Sequence, residues 1–335
     1  MESMKLKFVL LSILAFYCCK ISPSERGGSY LNTTHWQRYQ KFLPESLKIK
    51  DGKLPKEEYW AWNDVRVHLD RYENPNSDCK VLLIHGGGGN GRILGSIAKP
   101  VFDFGCEVVA PDLPGFGLTL TDQNFKMEYG DWVLLLNDLV EAERKPKTKI
   151  FLFGLSIGGM LAYHVAAENG NIQGLIVTTL ADLRRIEVQD AVSKNRVLRI
   201  LGTHLAFRLG WLTNDLYLPI RWLSKMELIT NDPDFSKVFS EDPYAGGAKV
   251  NFRWLKTISE FHPKLEPESF NVCPILLAHP GIDPWTPLAL SRPFFDRIPG
   301  DKKFVLLEGA GHFPYEEPGL FQLKTAIYDF IHSIK

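Results

Sequence analysis

From residue 79 onward the chain gathers short, largely apolar runs at Val81 to Ile84, Val108 to Ala110, Ile150 to Phe153, Leu175 to Thr179, Ile275 to Ala278 and Phe304 to Leu307. Unbroken runs of this length mark strands covered on both faces, as in a parallel sheet. Between the first few, the apolar period lengthens to that of helices over Arg92 to Phe104, Tyr129 to Glu143 and Ile157 to Asn169. Strand and helix in alternation predict a mostly parallel sheet wrapped by helices. Upstream, Glu58 to Asp70 partly alternates, which predicts exposed antiparallel strands.

The rhythm breaks between Arg184 and Asn271, a stretch rich in Trp, Leu and Arg with helical spacing and no clear strand. An all-helical insertion between strands of a parallel sheet lies over the carboxyl edge, so residues 184–271 are expected to form a lid over an apolar pocket. Residues 57–183 and 272–335 then form the core. Residues 21–56 read as a linker with one docking helix, Thr34 to Leu43, whose Trp36, Tyr39, Phe42 and Leu43 share a face.

At the N-terminus, Lys5 and Lys7 precede a twelve-residue apolar stretch, Phe8 to Cys19, closed by Lys20. Such a stretch is shorter than the ~20 residues a helix needs to cross a bilayer. A basic flank before a short apolar core has the layout of a secretory signal, so residues 1–20 are expected to export the chain or attach it to a membrane; a cytoplasmic chain is the alternative. Asn32-Thr33-Thr34 is a glycosylation triplet, meaningful only in an exported eukaryotic chain.

Composition narrows the function. The 335 residues are 45% hydrophobic and carry 39 Lys and Arg against 39 Asp and Glu. With no overall field to favour nucleic acid or an anionic surface, a small neutral or mixed ligand fits best. Past the leader only Cys79, Cys106 and Cys273 remain, too few and too odd a set for a disulfide framework, and buried free thiols are expected.

Two readings compete for the glycines of IHGGGGNGR. Gly86, Gly88 and Gly91 spell G-x-G-x-x-G between a strand and a helix, and Asp112 stands 21 residues beyond Gly91, as a dinucleotide site requires. Alternatively, bare backbone N–H groups receive an oxyanion. Distant residues favour the second. Between the strand KIFLF and the helix GMLAYHVAAE stands GLSIG, where a tight turn forces Ser156 into strained angles that only small neighbours at Gly154 and Gly158 permit. Its hydroxyl is then exposed at a helix N-terminus, where the Ile157 N–H meets a developing negative charge.

A serine hydroxyl needs a base, and of nine histidines His312 stands out, in the loop EGAGHFPYEEP after a strand. His85, beside the glycines, is the competitor, and His164 falls inside a helix. A carboxylate must hold the imidazole: Asp283, in GIDPWTP, is the first candidate and Asp182, in TTLADLRR, its rival.

The segments HGGGG, DLPGFG, GLSIGG, GIDPWTP and GAGHFPYEEP, in this order, resemble the α/β-hydrolase superfamily over roughly residues 58–335. They are similar to its lid-bearing branch of monoacylglycerol lipase-like and lysophospholipase-like esterases and proline iminopeptidase-like aminopeptidases. The resemblance implies a mostly parallel eight-stranded sheet with helices on both faces and a helical lid before the last two strands. It implies Ser156 as nucleophile, His312 as base and then acid, and Asp283 as its partner. Gly87, with Gly86 or Gly88 as further candidates, would join Ile157 in the oxyanion hole, and no metal or organic cofactor is required.

The leading expectation is therefore hydrolysis of an apolar carboxylic ester through an acyl-serine. An aminopeptidase or amidase is the alternative, because Glu227, Asp232, Asp234, Glu241 and Asp242 supply acids that would bind a free amine, and a carbon–carbon bond hydrolase is another. A non-catalytic binder would not require all three of Ser156, Asp283 and His312, and a nucleotide-dependent oxidoreductase leaves GLSIG and GAGHFP unexplained.

Overall fold

The computed structural model describes residues 27–49, 54–122 and 125–334. The expected leader at residues 1–20 lies outside them, and among the described residues no helix is long and apolar enough to cross a membrane.

A nine-stranded sheet forms the centre. The strands on its main path are β1 (Lys56–Trp62), β2 (Val65–Tyr72), β3 (Cys79–Ile84), β4 (Glu107–Pro111), β6 (Lys149–Gly154), β7 (Gly174–Val177), β10 (Ile275–Pro280) and β11 (Lys302–Leu307), in the spatial order β1-β2-β4-β3-β6-β7-β10-β11. A two-residue β5 (Leu120–Thr121) pairs with β2 beside this path of eight. All pairings from β4 to β11 are parallel; β1–β2 and β2–β4 are antiparallel. Strands β3, β4, β7 and β10 are buried at every position, which is why they appear in the sequence as continuous apolar runs. Helices Gly95–Asp103 and Gly319–Ile334 cover one face, and Tyr129–Ala142, Ile157–Asn169 and Leu288–Phe295 the other.

Three expectations are corrected. First, β2 is largely buried, not exposed: lying between β1 and β4, it carries His68 and Asp70 inward, where other charges meet them. His68 lies between Glu57 and Asp112 at 3.0 and 3.2 Å, and Arg92 donates two hydrogen bonds to Asp70. Second, the segment between β7 and β10 is not all-helical. Besides helices such as Arg196–Thr213, Pro233–Glu241 and Phe252–Glu260, it holds two three-residue strands, β8 (Tyr217–Pro219) and β9 (Lys249–Asn251), paired antiparallel. Strands this short show no period in the sequence.

Third, Cys79 and Cys106 are joined in a disulfide. The parallel register places Lys80 opposite Glu107, so the preceding residues sit side by side at the amino ends of β3 and β4, with Cα atoms 4.9 Å apart. Cys273 remains a free thiol, pushed up to about 12 by burial.

The segment before β1 folds onto both the sheet and the insertion. Its helix His35–Tyr39 and the following 3-10 turn bury Trp36, Tyr39 and Leu43. Tyr30 donates a 2.8 Å hydrogen bond to Asp112 of the core, and Tyr39 one of 2.5 Å to Asp242 of the insertion.

Candidate active site

Chain connections bring the sequence-derived residues to one edge of the sheet: the glycine loop leaves β3, Ser156 follows β6, Asp283 follows β10 and His312 follows β11. Ser156 sits at φ 59°, ψ −129°, outside the regions ordinary residues favour, a strain of order 1–3 kcal/mol that the surroundings must hold. They hold it from three sides. Thr178 accepts a hydrogen bond from the Ser156 N–H, and Thr179 donates one to its carbonyl, both from the end of β7. A Cβ at Gly154 would stand 2.2 Å from the Gly158 carbonyl oxygen, and one at Gly158 would stand 2.3 Å from that of Ile84, so neither position admits a side chain.

His312 Nε2 lies 2.7 Å from Ser156 Oγ and His312 Nδ1 lies 2.8 Å from Asp283 Oδ2. Asp283 accepts further hydrogen bonds from the N–H groups of Trp285 and Thr286 and from the Thr286 hydroxyl. Burial opposes its ionisation, but the charge and hydrogen bonds of His312 and the bonds from Thr286 outweigh it and hold the carboxyl well below its usual range. An ionised Asp283 only accepts, so Nδ1 carries a proton toward it and Nε2 is the ring nitrogen that faces the serine hydroxyl. The Trp285 ring stands 4.6 Å from the imidazole, centre to centre, and limits its rotation.

Opposite, the glycine loop approaches the serine. A Cβ on Gly86 would come within 2.8 Å of Ser156 Cβ. Among the described residues, neither the Gly87 nor the Ile157 N–H donates a hydrogen bond to another protein group. Gly88 takes a positive φ of 79°, turning the loop back. His85 shapes this loop: its Nε2 accepts from the Leu113 N–H at 2.9 Å, so its Nδ1–H donates to the Gly86 carbonyl at 2.7 Å. Burial lowers its pKa and keeps it neutral, and both ring nitrogens are occupied. Asp112 anchors the loop's far end through the Gly91 N–H at 2.6 Å.

A cavity opens onto Ser156, with empty space of about 370 Å³ including its mouth. Its walls include Ile93, Leu94, Ile229, Phe235, Phe239 and Phe313, and among the described residues no acidic side chain lines it. Asp182 is elsewhere engaged, bonded through both oxygens to Arg184. His164 is a core group against Tyr129 Oη, drawn down to about 3 by burial. Of the insertion's acids, Asp232 caps a helix, Asp242 accepts from Tyr39 and Tyr244, and Glu227 and Glu241 pair with Lys194 and Arg38. Glu57, His68 and Asp70 also converge, but Arg92 bonds or pairs with both carboxylates, which leaves a buried ion cluster and no open metal site.

The family model described as serine aminopeptidase, S33, matches residues 75–319. The chain belongs to this family of the α/β-hydrolase superfamily. Solved structures agree with the fold of the hydrolase. Monoacylglycerol lipase of Paleococcus ferrophilus is 23% identical, with 80% of this chain and 99% of that one covered at a TM-score of 0.65. A soluble variant of monoglyceride lipase from Saccharomyces cerevisiae, in complex with a substrate analog, is 16% identical over 85% and 97% at 0.68. A thermostable carboxyl esterase from Bacillus coagulans, in complex with glycerol, is 20% identical over 84% and 99% at 0.61.

Three residues of the hydrolase site escaped the sequence reading: Thr178, Thr179 and Thr286. Thr286 had a signal, since Asp followed three residues later by Thr after a strand is a turn in which the carboxylate binds the backbone ahead of it. Thr178 and Thr179 had none, because their partner is 22 or 23 residues away.

Proposed function

We propose that the enzyme hydrolyses carboxylic esters of apolar chains through an acyl-serine, with Ser156 as nucleophile, His312 as base and Asp283 as its orienting acid. The observation that carries this reading is the relay Ser156–His312–Asp283, continuous at 2.7 and 2.8 Å. His312 Nε2 takes the hydroxyl proton as Ser156 Oγ bonds to the carbonyl carbon. The carbonyl oxygen becomes an oxyanion facing the Gly87 and Ile157 N–H groups. Collapse breaks the bond to the leaving alkoxide, which takes the proton from His312; water then repeats the sequence and releases the acid.

An apolar wall without a carboxylate favours an ester over a substrate with a free amine. Residues 184–271 act as the lid of this pocket, contributing Ile229, Phe235 and Phe239. The apolar N-terminal stretch and the Cys79–Cys106 disulfide support a chain exported or held at a membrane by its leader, since disulfides persist in oxidising compartments.

The test is reaction of the purified protein with a fluorophosphonate and mapping of the adduct. Labelling at Ser156 that disappears in His312→Ala is expected; folded protein that takes up no label sinks the proposal. p-Nitrophenyl esters against aminoacyl arylamides then separate esterase from aminopeptidase.

A further inference from the structure

A second, narrower cavity adjoins the first, with open space of about 300 Å³ that includes solvent at its mouth and enclosed room for about one water-sized group. Ile93, Phe235 and Phe313 line both, so these three side chains form the partition between them. Its outer wall is the segment before β1, through Trp36, Tyr39 and Leu43, and its inner wall carries Arg92 and Ser96.

Gln40 also lines it, with its Oε1 taken by the Ile49 N–H; Arg92 and Ser96 are buried, 3% and 2% exposed, and each has an atom without a hydrogen-bond partner, Arg92 Nη1 and Ser96 Oγ. Buried donors left unpaired are rare in folded chains and call for an occupant. Charge decides what kind. Arg92 Nε and Nη2 already donate to Asp70 at 2.5 and 2.8 Å, Nη2 lies 3.0 Å from Glu57, and the guanidinium sits over the rings of Tyr30 and Trp36. Across the whole buried cluster Glu57, Asp70 and Asp112 stand against the Arg92 guanidinium and the His68 imidazolium, so a carboxylate or phosphate ligand would meet net repulsion. A neutral oxygen would not, and a hydroxyl can accept from Arg92 while exchanging a hydrogen bond with Ser96.

We infer that the second cavity is the remote end of the substrate site and binds a neutral hydroxyl or carbonyl oxygen carried at a distance from the ester bond. This rests on the esterase reading and narrows its substrate class. The apolar chain passes the Ile93, Phe235 and Phe313 partition, and the polar end docks on Arg92 and Ser96.

Two matched series test it: p-nitrophenyl alkanoates of four to twelve carbons and their ω-hydroxy counterparts. The expected result is a preference for the hydroxy ester of about tenfold in kcat/KM, confined to one or two adjacent chain lengths, with the opposite preference at shorter ones; tenfold corresponds to one modest hydrogen-bonded contact. Ser96→Ala should erase that preference, and Phe235→Ala should spread it over a wider range of lengths. A flat ratio at every length in the wild-type enzyme, with the plain esters still hydrolysed, overturns the inference alone and leaves the cavity to solvent. If no ester of either series is hydrolysed, the esterase reading fails and this one with it.

Discussion

Breaking the Cys79–Cys106 bond should weaken the protein without touching its chemistry. The cross-link closes a loop of 27 residues in the unfolded chain. Chain-entropy bookkeeping for that length gives ~12 cal/mol/K, or about 3.5 kcal/mol at 25 °C. For the roughly 300 residues that the structure describes, at ~2.1 cal/mol/K each, the melting temperature should fall by roughly 5 °C. Activity should hold, because both cysteines sit at the amino ends of their strands and β3 separates Cys79 from the glycine loop by roughly 17 Å. The assay is thermal melting with and without reductant, beside a Cys79→Ala/Cys106→Ala variant, with thiols titrated in the denatured protein. Comparing reduced wild type with the double variant separates the cross-link from the loss of buried sulfur. Equal thiol counts before and after reduction would refute the bond. Two extra thiols with an unchanged melting temperature would refute the entropic argument.

Asp283→Asn should lower kcat by about 10⁴-fold, because an amide cannot hold the required tautomer, whereas Asp182→Asn should leave kcat within a few-fold; steady-state kinetics on one ester decides, and the reverse result reassigns the acid. Gly86→Ala puts a methyl 2.8 Å from Ser156 Cβ and 2.9 Å from the Leu155 carbonyl oxygen. It should lower kcat at least ~100-fold, the usual cost of one oxyanion donor, with a circular dichroism spectrum like that of the parent. His68 supplies a pH test. Burial pulls its imidazole down, but Asp112 and then Glu57 push it up to about 10. A raised folded pKa stabilises fully below the unfolded value of ~6.5 and is lost as pH rises through about 10, so melting temperature should decline from pH 7 to 10.5. His68→Gln should flatten that decline, and an equal slope in both proteins would remove His68 from the account.

The parallel core was legible because strands buried on both faces must be apolar throughout, and helix Ile157–Asn169 appears with the bounds its spacing predicted. Ser156, Asp283 and His312 were legible for a different reason: each needs a specific turn at a strand end, and turns leave local marks. What depends on register left none. The cysteine pair, the inward charges of β2 and the short β8–β9 pair are set by which residue lies opposite which, information carried by no single window of sequence. Asp112 had a visible position but an ambiguous meaning: it lies at the distance a ribose ligand would, yet its carboxylate is consumed by the Gly91 and Leu118 N–H groups and Tyr30.

The strap before β1 has a temporal consequence. Tyr30 must wait for Asp112, 82 residues on, and Tyr39 for Asp242, 203 residues on. At synthesis rates of about 5–20 residues per second, Tyr39 emerges roughly 10 to 40 s before its partner exists. Trp36, Tyr39 and Leu43 therefore leave the ribosome well before the groups that cover them, and closing so long a loop slows the step further. Until that step completes, the outer wall of the second cavity is missing, so on the esterase reading the folding chain should hydrolyse plain esters before it gains its preference for ω-hydroxy esters.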